Sequence, residues 1–210
     1  GAVAWKHSYA CPIEAKQHEG GPCGSPTVDG DRVYTCSKKG HVFCLEAASG
    51  KVIWSVDAVK DLGAECPRWD FSSSPLIEGN LVILNIGDAG TAFDKKTGKV
   101  VWKSGTGPGG YSTAVPYNAG SERAVVLFTK EHVAAFKAGD GKELWRYPWK
   151  TEYFVNAADP IIVGDQVFIS SGYNRGATLL KVSGSQASAV WENKNMKNHF
   201  NSCVLWQGHL

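Results

Sequence analysis

Short runs of β-branched, aromatic and aliphatic residues alternate along the chain with turns rich in Gly, Asp and Asn. The clearest runs are residues 25–28, 32–36, 41–45 and 52–55. Such a pattern is typical of antiparallel hairpins, because Gly, Asp and Asn adopt the backbone conformations that tight turns require. No window shows a 3.6-residue apolar period, so the pattern predicts an all-β fold.

A longer motif recurs in phase with these runs. It reads GHVFCLEAASGKVIW at 40–54, GTAFDKKTGKVVW at 90–102 and EHVAAFKAGDGKELW at 131–145, with a degraded copy, GATLLKVSGSQASAVW, at 176–191. The opening AVAW, at 2–5, reads as the tail of one more copy. A period of roughly 45 to 50 residues, with four strands in each repeat, indicates the blades of a β-propeller.

The repeats predict a single propeller segment over residues 1–210. Four complete blades are expected at 25–54, 74–102, 113–145 and 159–191, with partial blades at both ends. A Trp on the last strand of each blade is expected to pack against the neighbouring blade, after a Gly that allows a positive φ. These docking residues are Trp54, Trp102, Trp145 and Trp191. We expect the segment to belong to a longer propeller, or to close its ring with another chain.

The AxxGKxxW repeat resembles the tryptophan-docking repeat of the PQQ-like, or quinoprotein-alcohol-dehydrogenase-like, β-propellers, and the resemblance covers nearly the whole chain. The stretches PWKTEYFVNAADP and WENKNMKNHFNS are similar to one branch of these proteins, exported by planctomycete-type bacteria and likened to the BamB outer-membrane assembly lipoprotein. The resemblance implies seven or eight blades and a periplasmic or extracellular location. It describes a fold more than an activity.

Charge and cysteine content narrow the possible partners. The formal net charge is +2 with no basic block, so nothing favours nucleic acid. No apolar run reaches the roughly 20 residues of a transmembrane helix. Cys36 and Cys44 lie in strand-like runs and are expected to be buried, whereas Cys11, Cys23 and Cys66 lie in loop-like segments where one disulfide could form in an exported protein.

The segments that depart from the repeat are the loops that enter each blade, at 7–24, 57–73, 104–112, 147–158 and 192–201. Function in repeat scaffolds usually lies in such loops, so a protein or small-molecule ligand is expected here. The candidate binding residues are Trp69, Tyr111, Lys150, Glu152, Asn156, His199 and Asn201. The short charged turns at 38–40 and 130–132 are expected to lie elsewhere. The aligned entrance residues, expected to bridge blades by hydrogen bonds, are Ser25, Ser74, Thr113, Asp159 and Ser202.

Two main functions follow from these features, and a carbohydrate-active or other enzyme built on the same blades is the remaining alternative. The first is a binding or scaffolding propeller of the cell envelope, because no catalytic cluster is recognisable. The second, implied by the resemblance, is a PQQ- and calcium-dependent oxidoreductase acting on alcohols or sugars. Such enzymes carry adjacent cysteines against the quinone and a Glu/Asn/Asp calcium cluster.

The sequence offers little for the oxidoreductase. It has no adjacent cysteines, and Glu152, Asn156 and Asp159 supply oxygen ligands at a nonspecific spacing. His199 could act as a base, but a hydrogen-bonded structural histidine is the simpler interpretation. We therefore assign neither a metal site nor a catalytic residue.

Overall fold

The computed structural model describes residues 1–13 and 21–210 and shows four sheets, each built of four antiparallel strands. Every sheet pairs consecutive strands, so each is a meander that corresponds to one blade. This architecture confirms the predicted all-β propeller fold. Part of the predicted entry loop 7–24, residues 14–20, lies outside the described residues.

The strands of the four blades are numbered in chain order. Blade 1 contains β1–β4, at Thr27–Asp29, Arg32–Cys36, His41–Glu46 and Val52–Asp57. Blade 2 contains β5–β8, at Leu76–Glu78, Leu81–Leu84, Thr91–Asp94 and Val100–Lys103. Blade 3 contains β9–β12, at Val115–Ala119, Glu122–Phe128, His132–Lys137 and Glu143–Pro148. Blade 4 contains β13–β16, at Ile161–Val163, Gln166–Ser171, Gly176–Ser183 and Gln186–Asn193.

The hydrophobic core lies between blades. One buried cluster joins Tyr34 and Trp54 of blade 1 to Val82 and Phe93 of blade 2. Two further clusters join blade 2 to blade 3 and blade 3 to blade 4. A blade has two faces to cover and only neighbouring blades to cover them, so packing between repeats is what stabilises the fold.

A bulge precedes the docking Trp in every blade. In blade 1, Trp54 lies opposite Cys44 and Val52 lies opposite Leu45, so Ile53 is the extra residue on β4. The other three blades show the same shift between their third and fourth strands. Because a bulge locally changes strand twist, it redirects the side chain that follows.

Each docking Trp of the first three interfaces contacts the next blade in the same way. The indole Nε1 of Trp54 donates a 3.0 Å hydrogen bond to the carbonyl of Lys95, and the ring lies over Gly98. The equivalent sets are Trp102 with Ala138 and Gly141, and Trp5 with Ala47 and Gly50. The three glycines have φ of +70° to +72°, as the sequence predicted. A Cβ there would strain the backbone and collide with the indole.

The interface between blades 3 and 4 departs from this rule. Trp145 is 2% exposed, yet its indole nitrogen has no hydrogen-bond partner among the described residues. Val182 is the structural equivalent of Ala138. The backbone N–H of Ala138 donates to the carbonyl of Arg123, and that of Val182 donates to the carbonyl of Asp165 at the matching position of blade 4. The turn that follows Val182 is a tight hairpin around Gly184, between two eight-residue strands, so the usual docking turn is missing.

Trp191 lies on the last strand of blade 4. It is 38% exposed, and its predicted role as a docking residue stays a prediction. Its ring lies near Phe168 of its own blade, 6.0 Å between centroids, and no fifth sheet covers it among the residues that the structure describes. A docking Trp becomes buried only where a following blade lies against it.

One short helix interrupts the β structure. Helix α1, Ala58–Leu62, follows β4 in the loop towards blade 2. The Asp57 side chain caps it by accepting hydrogen bonds from two backbone N–H groups, and Gly63 ends it in the left-handed conformation. Within the described ranges, no helix has the length and apolar character needed to cross a membrane.

Candidate functional site

The entry loops and the second hairpin turn of each blade share one surface, which we call the loop face. Strand direction alternates in a four-stranded antiparallel meander, so these two kinds of connection lie at the same end. Contacts between the second hairpin turns and the entry loop 57–73 support this placement. The N–H of Phe71 donates to the carbonyl of Lys38 at 2.9 Å, and Lys130 lines a cavity with Arg68. The expectation that turns 38–40 and 130–132 lie elsewhere is therefore wrong.

A ladder of hydrogen bonds joins the blade entrances. Each entrance residue donates its backbone N–H to the side chain of the entrance residue in the next repeat. The four steps are Ser25 to Ser74 at 3.0 Å, Ser74 to Thr113 at 3.2 Å, Thr113 to Asp159 at 2.7 Å and Asp159 to Ser202 at 2.8 Å. These residues bridge blades, as the sequence predicted. Burial raises the pKa of Asp159, and its hydrogen bonds to Thr113 and Ser202 oppose that rise.

An apolar cavity of about 250 Å³ opens on the loop face, and we call it the aromatic cavity. It is lined by Cys23, Trp69, Ser72, Tyr111, Val155, Ala157, Tyr173 and Phe200. Two of the predicted binding residues, Trp69 and Tyr111, are among them. Sequence reasoning missed Tyr173 and Phe200, although each is an aromatic residue in a connection of blade 4.

A second cavity of about 280 Å³ adjoins the first, and we call it the charged cavity. It is lined by Glu65, Cys66, Pro67, Arg68, Pro108, Gly109, Tyr111, Lys130, Glu152, Tyr153 and Phe154. Tyr111 forms a wall of both cavities. The same two loops, 57–73 and 147–158, supply most of the remaining walls, so the two cavities are neighbours separated by Tyr111.

Tyr111 is held from three directions. Its hydroxyl accepts a 3.4 Å hydrogen bond from the N–H of Trp69, its N–H donates to the carbonyl of Asn156, and its carbonyl accepts from the hydroxyl of Ser72. Burial raises the pKa of its phenol. Tyr111 is therefore a fixed partition, neutral at physiological pH.

Asn156, predicted to bind a ligand, is instead a buried structural residue. It is 0% exposed, and its amide nitrogen donates to the carbonyls of Thr129, Lys130 and Trp149. Its side-chain oxygen accepts from the hydroxyl of Ser171, at 2.8 Å. Since both polar atoms are engaged out of contact with solvent, Asn156 joins blades 3 and 4 beneath the site and cannot contact a ligand.

Lys150 and Glu152 lie at the exposed rim of the site. The Lys150 ammonium pairs with Glu131 at 3.1 Å and lies over the ring of Phe154. Glu152 lines the charged cavity, and its hydrogen bond raises the pKa of Tyr153. Both predicted residues are on the loop face, but only Glu152 lines a cavity.

His199 supports the wall of the aromatic cavity. Its ring makes edge contacts with Tyr173 and Phe200, with centroids 4.6 and 3.9 Å away, and it lies close against Gly172. Burial lowers its pKa, so the imidazole is neutral at pH 7. Asn201 is exposed and lines neither cavity; its backbone carbonyl accepts from the amide of Asn198.

The cysteines do not form the disulfide considered above. Cys11 and Cys23 are separate thiols, and Cys23 lines the aromatic cavity. The Cys66 thiol donates to the Asp70 carboxylate and lies beside the carbonyl of Lys38. Cys36 and Cys44 are buried as predicted, and burial raises the pKa of the Cys36 thiol.

The donor set for a quinone–calcium centre does not fit this site. Of the three candidate oxygen ligands, Asn156 is buried and engaged by Ser171, and Asp159 accepts from Thr113 in the ladder. No group of three or more His, Cys, Asp or Glu side chains suited to a metal occurs in the described part of the chain.

Comparison with known proteins establishes the family. The family model described as outer membrane protein assembly factor BamB matches residues 1–209. Quinohemoprotein alcohol dehydrogenase ADH IIB of Pseudomonas putida is 28% identical in an alignment over 123 residues that covers 55% of this chain and 17% of that protein. Polyvinylalcohol dehydrogenase of Sphingopyxis is 30% identical in an alignment over 155 residues that covers 63% of this chain and 23% of that protein.

Among solved structures, BamB from Moraxella catarrhalis has the same fold. It matches with a TM-score of 0.64 at 16% identity, over 95% of this chain and 55% of that one. The chain thus spans a quarter or less of the two dehydrogenases and about half of that BamB. Because the family model matches almost every residue, the chain belongs to the PQQ-like β-propeller family of the outer membrane protein assembly factor BamB.

Proposed function

We propose that this chain is a binding module whose loop face holds a partner protein. The observation that carries the proposal is the pair of adjoining cavities that share Tyr111. Loops from different blades converge there, as expected for a recognition surface on a rigid repeat scaffold. The name of the matching family, an assembly factor, supports a role in protein interaction.

The setting we propose is the periplasm or the cell exterior, as part of a larger propeller. The chain covers about half of the BamB structure and a smaller share of the dehydrogenases, which is consistent with a ring that contains further blades. Trp191 would dock on the next blade as Trp102 docks on Gly141. Further blades from the same chain or from another would complete the ring.

A quinone-dependent oxidoreductase is the second candidate. The names of the two dehydrogenases favour it. The geometry does not, because Asn156 and Asp159 are committed to structural bonds, and the aromatic cavity is smaller than the roughly 300–1,000 Å³ of small-molecule sites. The test is incubation with PQQ and calcium followed by desalting. Retained quinone absorbance with dye-linked alcohol oxidation would support the enzyme.

The binding proposal is tested by selection from a random peptide library displayed on phage. Tyr173 and Phe200 are 38% and 63% exposed, so their replacement by Ala removes ring contacts with His199 but no fully buried side chain. We expect selected peptides to bind the natural protein and not the Tyr173→Ala/Phe200→Ala variant. The control is Val101→Ala/Val163→Ala, which removes exposed side chains away from both cavities. Failure to select any peptide sensitive to the loop face would refute the proposal.

A further inference from the structure

The aromatic cavity has the dimensions and lining of a pocket for one side chain. Its volume of about 250 Å³ lies below the usual range of small-molecule sites, and four aromatic rings form its walls. None of its lining residues carries a formal charge. Buried aromatic anchors in such pockets commonly supply most of the energy of a protein interface.

The charged cavity next to it contains two cations that form no ion pair with the side chains the structure describes. The Arg68 guanidinium lies 5.2 Å from the centroid of the Trp69 ring, and the Lys130 ammonium lies 4.8 Å from that of Phe154. Among the described side chains, neither cation has a carboxylate within 4.0 Å. A cation–π contact does not use up the N–H groups of the cation. Both cations can therefore still donate hydrogen bonds to an anion.

Neighbouring charged residues show a different arrangement. Lys150 is paired with Glu131, and Lys38 and Lys39 both face Asp70. Two carboxylates, Glu65 and Glu152, also line the charged cavity. They would repel a densely acidic ligand, so the cavity suits a single carboxylate placed at Arg68 and Lys130.

We propose that the loop face binds a segment of a partner protein in which an aromatic side chain lies next to an acidic one. The aromatic ring fills the aromatic cavity, against Trp69 and Tyr173. The carboxylate accepts hydrogen bonds from Arg68 and Lys130 across the Tyr111 partition. This inference rests on the proposed function and adds to it the chemistry of the bound segment.

Synthetic peptides test the inference directly. The probe is a fluorescein-labelled peptide of Gly and Ser carrying one Phe flanked by a Glu on each side. One control peptide replaces both Glu by Gln, and another replaces Phe by Ala. We expect each replacement to weaken binding by about tenfold, as for the loss of a charge-assisted hydrogen bond or an aromatic anchor. Binding of the Glu peptide should also weaken with added salt.

Protein variants assign the charge contact to its residues. In Arg68→Gln/Lys130→Gln, the Glu and Gln peptides should bind equally, because the contact that distinguishes them has been removed. A merely structural role for these cations would weaken both peptides alike and leave the distinction in place. The matched control is Lys96→Gln/Lys142→Gln, two exposed lysines in docking turns at the opposite end of the blades, which should preserve the tenfold distinction.

The outcomes separate this inference from the proposed function. If the natural protein binds the Gln or Ala control peptide as tightly as the Glu–Phe probe, the inference is wrong. If library selection yields peptides that bind the loop face but lack an aromatic–acidic pair, the inference is again wrong while the proposed function stands. If no peptide binds the loop face in either experiment, both fail.

Discussion

The indole nitrogen of Trp102 donates a hydrogen bond to the carbonyl of Ala138, 2.7 Å away across the interface of blades 2 and 3. One blade later, the equivalent nitrogen of Trp145 is equally buried and has no partner among the described residues. The same residue in the same register therefore makes different contributions to stability in neighbouring repeats.

The first prediction compares these two tryptophans. Trp102→Phe loses apolar contacts and leaves the Ala138 carbonyl without its donor, whereas Trp145→Phe loses contacts and removes an unsatisfied N–H. We expect Trp102→Phe to lower the free energy of unfolding by about 1–2 kcal/mol more than Trp145→Phe, the cost of an unpaired buried polar group. Urea unfolding followed by circular dichroism measures both. Equal losses would show that the hydrogen bond adds nothing.

The second prediction concerns the docking turns. Gly141 has φ of +70°, and a Cβ on it would lie 2.6 Å from the Trp102 ring. We expect Gly141→Ala to cost about 2–4 kcal/mol, combining left-handed strain with overpacking. Gly184 is the control, because it has φ of +58° with open space around it. Gly184→Ala should cost only about 1–2 kcal/mol. Similar losses at both sites would exclude a role for the collision with Trp102.

The third prediction separates two asparagines that sequence analysis treated alike. Asn156→Ala leaves three carbonyls and the Ser171 hydroxyl without their partner, and should lower the free energy of unfolding by about 2–4 kcal/mol. Asn201→Ala removes an exposed side chain and should change it by less than about 0.5 kcal/mol. Thermal denaturation of both variants provides the comparison. A stable Asn156→Ala protein would show that blades 3 and 4 do not depend on this residue.

The fourth prediction concerns acid sensitivity. Burial lowers the pKa of His132, and the Arg146 charge adds to the effect. The unfolded chain therefore binds a proton near its ordinary pKa of about 6.5, while the folded protein binds it only at lower pH. Stability should fall as the pH drops from 7 through 6.5 towards the folded pKa.

Replacement of the histidine tests this origin. His132→Gln should show a smaller loss of stability between pH 7 and pH 5.5, measured by urea unfolding at each pH. The control is the Asn201→Ala variant, which removes an exposed side chain that carries no titratable group and should leave the pH dependence as in the natural protein. If His132→Gln shows the same pH dependence as the natural protein, the loss of stability at low pH comes from other titratable groups.

The repeat alone was enough to predict the fold. A Trp, a turn Gly and four short apolar runs recur at a fixed spacing, and each is a local signal that needs no knowledge of distant residues. The entrance ladder was predictable for the same reason, because Ser74, Thr113 and Asp159 occupy equivalent positions in successive repeats. Trp69 and Tyr111 were found because they depart from the repeat.

Tertiary structure decided which of these residues meet and which are hidden. Strand alternation brings Lys130 to the same face as Arg68, and packing between blades exposes Tyr173 and Phe200 at the cavity while burying Asn156 beneath it. The neighbouring blade decides whether a side chain is buried and which residues it contacts. That neighbour is distant in sequence, so a pattern read along one strand could not place these residues.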